Sequence, residues 1–272
     1  MPELPEVETT RRGISPALVG RRVTRVVIRD RRLRWPIDPR LETAITHQAV
    51  RRIDRRAKYL LIVFETGTLI VHLGMSGSLR ILSADVPPQL HDHWDIEVDS
   101  GAVLRFHDPR RFGSALWTDA NPLEHPLLAK LAPEPLSDAF SPDYLFRATR
   151  KRKVAIKQFI MNSQVVVGVG NIYASEALFR ARISPRRAAQ RLSRLQAAAL
   201  TQAIKAVLAA AIDIGGTTLR DYVNADGMPG YFRQKLFVYE RQGQACRLCR
   251  TPVKQFVQGN RSTYWCAVCQ RQ

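Results

Sequence analysis

Four cysteines, all within the last 27 residues of a 272-residue chain, constrain this sequence more than any other feature. Cys246 and Cys249 form one Cys-x-x-Cys pair and Cys266 and Cys269 another, with 16 residues between the pairs. A four-thiolate zinc ribbon uses this spacing, each turn presenting two sulfurs to one ion. A module of roughly 35 residues has too little core to hold itself together and needs such a staple. Two disulfides would require an oxidising compartment, and a redox dithiol would require a thioredoxin-like βαβ setting. One structural Zn2+ per chain is expected, and four protein ligands leave it no open position for catalysis. From Phe237 onward the module carries Arg241, Arg247, Arg250, Lys254, Arg261 and Arg271 against Glu240 alone, which makes it a basic finger.

Charge points to a polyanionic partner. The chain has 42 Lys and Arg against 24 Asp and Glu, a formal charge of +18 and a pI near 10.6. Nucleic acid suits such a surface better than a membrane. The bases are unevenly placed, crowding between Arg11 and Lys58, while Asp85 to Asp99 is acidic without a Lys or Arg. Each single charge on such a face is also compatible with plain solvation. No uninterrupted apolar run reaches the ~18 residues that cross a bilayer, and the first residues are acidic where a signal peptide needs bases. A cytoplasmic monomer with no membrane partner is expected.

Upstream of the finger, short apolar runs alternate with turn signals. Val23 to Ile28, Val50 to Ile53, Tyr59 to Phe64, Leu69 to Leu73, Ser78 to Leu82, Trp94 to Val98, Val103 to Phe106 and Ser114 to Trp117 read as strands. Strands at this spacing predict a β-sandwich. A helix is expected to precede them from about Pro5, with Glu6 and Glu8 near its positive end. Past Trp117, five prolines from Pro122 to Pro142 mark a connector, after which the periodicity is helical. Ser193 and Gln196 spell a capping box, and Gly215-Gly216 ends the helix that follows.

The N-terminus holds a candidate nucleophile. Removal of Met1 would leave Pro2 with a free secondary amine, less basic than a lysine and able to form an iminium ion with a sugar aldehyde carbon. Glu3 beside it could move protons. Alone, these residues carry little weight, because a Pro at this position usually only sets Met removal and a Glu near a helix start usually serves the dipole.

Five separated stretches and the finger give a more specific reading. They are Met1 to Thr9 (MPELPEVET), Ala57 to Leu60 (AKYL), His72 to Gly77 (HLGMSG), Asp108 to Gly113 (DPRRFG) and Gly168 to Tyr173 (GVGNIY), with the terminal Cys-x-x-Cys pairs following in order. Together they resemble the bacterial formamidopyrimidine-DNA glycosylases over nearly the whole chain. The sister endonuclease VIII type, which prefers oxidised pyrimidines, starts differently and is the nearer alternative. A non-catalytic DNA-binding protein on the same fold is the other, and it would need neither Pro2 nor Glu3.

The resemblance implies an α+β, multidomain protein. An N-terminal catalytic β-sandwich with flanking helices (1–132) would be followed by a helix-two-turns-helix domain with a lesion-capping loop (133–235) and a zinc-ribbon β-hairpin finger (236–272). Its partner would be double-stranded DNA containing oxidised purines or abasic sites. Pro2 would be the Schiff-base nucleophile, Glu3 the proton donor and acceptor, Lys58 a phosphate neighbour assisting β-elimination, and Arg261 the phosphate grip for δ-elimination. Met75, Arg110 and Phe112 would fill the gap left by a flipped nucleotide. An isolated Met or Phe is otherwise a core residue. Asn171, in a glycine-bounded turn entering a helix, would capture a phosphate or merely cap the helix. His91 and Arg152 match further DNA contacts, Arg152 standing where a Lys is often seen. Lys157 matches a position linked to the lesion base and Tyr239 one linked to the backbone. Gly215 to Tyr222 matches the loop that closes over the flipped base. Glu240 departs from the family's usual Gly.

Overall fold

The computed structural model describes residues 2–215 and 235–271; the greater part of the expected capping loop lies outside them. The described residues form two compact units, 2–130 with 214–215, and 131–213 with 235–271.

The first unit begins with helix α1 (Leu4–Leu18), which carries Pro5 in its first turn, where a missing N–H costs nothing. Eight strands follow: β1 (Val23–Ile28), β2 (Arg52–Arg56), β3 (Tyr59–Val63), β4 (Thr68–His72), β5 (Ser78–Ser83), β6 (Asp92–Val98), β7 (Ala102–His107) and β8 (Ser114–Thr118), with a short helix α2 (Leu41–Ile45) after β1. They build two four-stranded antiparallel sheets, in the orders β1-β6-β7-β5 and β2-β3-β4-β8. Leu60, Ile62, Leu69 and Val71 from one sheet and Trp94, Ile96, Leu104 and Phe106 from the other share a core with Val7, Ile14 and Leu18 of α1. Trp94 and Phe106 stack at 5.2 Å between ring centres. This is the expected β-sandwich.

Two strand boundaries differ from expectation for physical reasons. Val50 is buried, but its N–H and C=O bond to Arg21 and Gly20 beside β1, so the β2 ladder starts later, in the charged run from Arg52. β6 starts two residues earlier than its apolar pattern because Asp92 and His93 are buried by polar partners. Asp95, only 2% exposed, lies across from Arg105, whose Nε and Nη2 reach it at 2.9 and 2.8 Å. Burial works to raise the Asp95 carboxyl, but Arg29 and Arg105 outweigh it and hold it below its usual value.

The second unit holds α3 (Pro142–Thr149), α4 (Ile156–Ile160), α5 (Asn171–Arg180) and α6 (Arg194–Asp213). The Gln196 N–H donates to Ser193 Oγ and the Ser193 N–H to Gln196 Oε1, both at 3.1 Å, which completes the capping box. By length and composition α6 could cross a membrane, yet half of its apolar window is buried inside the protein, where it packs on α3 and α5. The finger hairpin, β9 (Lys254–Gln258) and β10 (Arg261–Trp265), turns through Gly259 and Asn260, both with positive φ as a two-residue hairpin loop requires. Phe179 of α5 shares a small core with Val238, Val253, Cys246 and Cys266, so helices and finger are one packed body.

Candidate functional site

Pro2 is buried directly ahead of α1, and Glu3 is the N-cap residue of that helix, 2% exposed. The Glu3 N–H donates to Glu6 Oε2 at 2.8 Å, so a buried carboxylate fixes the backbone that carries both candidate catalytic residues. Lys58 occupies the two-residue turn between β2 and β3, next to Ala57, whose φ of 55° is left-handed. Arg55 Nη1 donates to the Ala57 carbonyl at 2.9 Å, and Arg55 Nε donates to Glu8 of α1 at 3.1 Å, so the helix braces the turn. Burial works to raise the Glu8 carboxyl, but Arg11, Arg12 and Arg55 hold it below its usual value.

Met75 and Phe112 are not core residues. They are 37% and 44% exposed at the tips of two loops, and the Arg110 guanidinium lies 4.9 Å over the Phe112 ring. A cavity of about 540 Å³ opens between these tips, lined by Arg34, His72, Gly74, Met75, Arg111 and Phe112. Burial pushes the His72 imidazole down to about 4, with Lys58 and Arg34 adding to the effect. The Gly74 N–H donates to His72 Nδ1 at 2.9 Å, so the proton of the neutral ring sits on Nε2. Arg34, His72 and Arg111 had no assigned role in the sequence reading; His72 and Arg111 lie inside the HLGMSG and DPRRFG stretches, and Arg34 is distant from both in sequence. His91 is half-buried with a φ of 74°, in the turn ahead of β6.

In the second unit Asn171 is the first residue of α5, and its Nδ2 donates to the Ser262 carbonyl at 3.0 Å. Lys157 is 1% exposed; its Nζ donates to Asn171 Oδ1 at 2.6 Å, Thr263 Oγ1 at 2.7 Å and the Ser262 carbonyl at 3.3 Å. Lys157 thus holds Asn171 and the strand that starts at Arg261, which is exposed. Tyr239 stacks edge-on to Tyr264 at 5.0 Å, and Arg152 is exposed in the loop after α3. Glu176, 1% exposed, accepts the N–H groups of Phe237, Val238 and Tyr239, each at 2.9 Å. It clamps the chain entering the finger, and no local sequence signal marks it. Glu240 has a φ of 56°, where a Gly would be unstrained.

The four cysteine sulfurs lie within 4.8 Å of one another, with Cys246 and Cys269 at 3.9 Å and Cys249 and Cys266 at 3.4 Å. Sulfurs about 2.3 Å from a tetrahedral zinc stand roughly 3.8 Å apart, so the donor set fits that ion and exceeds a disulfide bond length.

Family models match residues 1–115 as the formamidopyrimidine-DNA glycosylase N-terminal domain, 131–223 as its H2TH domain, and 243–272 as the zinc finger found in FPG and IleRS. A formamidopyrimidine-DNA glycosylase of Thioalkalivibrio sulfidiphilus is 62% identical over the full length of both chains. The chain belongs to the formamidopyrimidine-DNA glycosylase family. Among solved members of this family, MutM (FPG) of Thermus thermophilus has a TM-score of 0.88 at 39% identity, covering 99% of this chain and 98% of that one. Wild-type Lactococcus lactis Fpg in complex with N7-benzyl-Fapy-dG-containing DNA has a TM-score of 0.92 at 30% identity, covering all of both chains. The formamidopyrimidine-DNA glycosylase fold therefore accounts for both units described above.

Proposed function

We propose that this chain is a bifunctional DNA glycosylase and AP lyase of base excision repair, which removes oxidised purines (8-oxoguanine and formamidopyrimidines) from duplex DNA and cuts the strand by β,δ-elimination. The observation that carries it is the pairing of Pro2 with the buried, Glu6-pinned Glu3 at the start of α1. The Lactococcus relative in complex with N7-benzyl-Fapy-dG-containing DNA supports DNA as the partner.

In this mechanism the Pro2 amine, freed by loss of Met1, attacks the sugar C1′ as the C1′–base bond breaks. Glu3 gives a proton to the departing base or to the opening sugar oxygen. The resulting iminium withdraws electrons, so a C2′ proton is lost and the 3′ phosphate leaves; loss of a C4′ proton then expels the 5′ phosphate. Lys58 steadies the first phosphate, and Arg261, whose guanidinium stays protonated, stabilises the second electrostatically. Met75 and Phe112 replace stacking in the emptied site while Arg110 hydrogen-bonds the orphaned cytosine. Asn171, His91, Arg152 and Tyr239 grip the backbone, and Lys157 supports Asn171 and the finger. Cys246, Cys249, Cys266 and Cys269 hold zinc, which organises the finger that presents Arg261. Work on DNA puts the enzyme in the bacterial cytoplasm, at the nucleoid.

Cleavage of duplexes carrying 8-oxoguanine, formamidopyrimidine or an oxidised pyrimidine tests the reading. Preference for the purine lesions with phosphate at both new ends is expected. Preference for the pyrimidine lesion, or binding without cleavage, would overturn it.

A further inference from the structure

The two loops that carry Met75 and Arg110–Phe112 are built as a pair by the sandwich. β4 and β8 are neighbours in one sheet, β5 and β7 in the other. The chain leaves β4 at His72, opposite Ser114, and enters β5 at Ser78, opposite His107. The β4–β5 and β7–β8 connections therefore cross between the sheets side by side. Their backbones touch: a Cβ on Gly74 would lie 2.4 Å from the Phe112 carbonyl carbon and from the Gly113 nitrogen. No other residue fits there, and the φ of 63° at Gly74 adds to the restriction.

Asp108 spans this junction. It is fully buried; its Oδ1 accepts from Ser76 Oγ at 2.8 Å and from the Arg110 N–H at 3.3 Å, and its Oδ2 from the Gly113 N–H at 2.8 Å. The His93 ring contacts its carbonyl at 2.7 Å, and its own N–H donates to the His91 carbonyl at 3.0 Å. A carboxylate survives at such depth only where donors surround it. Here one side chain takes donors from the Met75 loop and from both ends of the Arg110–Phe112 segment.

We propose that Asp108 is a positioning residue that locks the Met75 loop to the Arg110–Phe112 loop, so that the three gap-filling side chains enter the duplex as one unit and discriminate the opposite base together. The inference rests on the proposed function, because it presumes that the lesion nucleotide is flipped. Asp108 itself does not touch DNA; the Ser76 hydroxyl is its link to the Met75 loop.

Ser76→Ala cuts that link while leaving the hold on Arg110 and Gly113, and Asp108→Asn removes more. Single-turnover excision of 8-oxoguanine opposite cytosine and opposite adenine is compared with cleavage of a single-stranded abasic oligonucleotide, which has neither stack nor opposite base. For Ser76→Ala, duplex excision should fall by about tenfold or more and the cytosine-over-adenine ratio should narrow, since small misplacements of positioning groups are costly. Cleavage of the single strand should stay within about twofold of wild type. Should Asp108→Asn fail to fold, Ser76→Ala alone decides. Equal losses on both substrates, or a wild-type duplex rate and ratio in Ser76→Ala, would overturn the proposal. A wild-type protein inactive on both substrates would instead remove the functional reading beneath it.

Discussion

The Glu3 N–H donates to Glu6 Oε2 at 2.8 Å, and both side chains are 2% exposed. The acid proposed to move protons is thus held by a second acid whose work is structural. Glu3→Gln keeps the cap and the shape but cannot exchange a proton, so base excision should be abolished while lesion-duplex affinity stays within about threefold. Glu6→Ala should cost about 1 kcal/mol of stability through the lost cap and lower excision only in part. Denaturant melts together with single-turnover rates check both. Equal loss of binding and excision in Glu3→Gln would assign Glu3 to structure alone.

Titration of His72 gives a pH signature. Its folded pKa near 4 lies below the ordinary 6.5, so the unfolded chain binds that proton more readily. Stability is lost as pH falls from about 6.5 toward 4, by roughly 1 to 3 kcal/mol. The Glu8 carboxyl is lowered too, but its arginine partners favour its charged form, and its contribution persists until pH drops below the usual carboxylate value of 4.5. His72→Asn can still accept the Gly74 N–H but does not titrate, so its stability should be flatter between pH 6.5 and 4.5 than that of wild type. Parallel curves for the two proteins would contradict the burial assigned to His72.

Zinc removal should act on the finger. Cys246→Ser or Cys269→Ser should release the metal and loosen β9 and β10, weakening DNA binding through lost presentation of Arg261. Metal analysis, hydrogen exchange and binding at two salt concentrations measure this. Freshly purified protein without zinc, binding DNA undiminished in a strong chelator, would defeat the assignment.

Arg110 has two conceivable roles with different signatures. A phosphate contact would make Arg110→Ala weaken binding equally whatever base faces the lesion, with the salt slope about one unit shallower. A contact to the orphaned cytosine would instead erase the preference for 8-oxoguanine opposite cytosine over adenine, at roughly 1 to 3 kcal/mol. The second is expected, because the guanidinium already lies over Phe112, the ring proposed to enter the same gap. Excision opposite each of the four bases decides between them.

The sandwich was legible in the sequence because its strands alternate or run apolar between Gly and Asp turns, as Tyr59–Val63 and Thr68–His72 do. The Ser193–Gln196 box and the cysteine spacing were legible because their partners are near in sequence. Hidden from that reading were features that depend on distant pairing. Asp92 and His93 look like loop residues until His107 and Asp108 arrive across the sheet. Lys157 matches a position linked to the lesion base, yet its buried ammonium is held by residues more than 100 positions away. Asp108 sits inside a recognisable motif, but its bond to Ser76 exists only because two crossovers run together.

The central claim is that the Pro2 amine attacks the sugar. Borohydride added to Met-processed protein and a duplex with 8-oxoguanine or an abasic site should freeze the iminium as a stable covalent adduct, and digestion with mass analysis should locate the DNA on Pro2. A processed protein that cleaves the abasic strand but never forms the adduct, or forms it on another residue, would contradict the account.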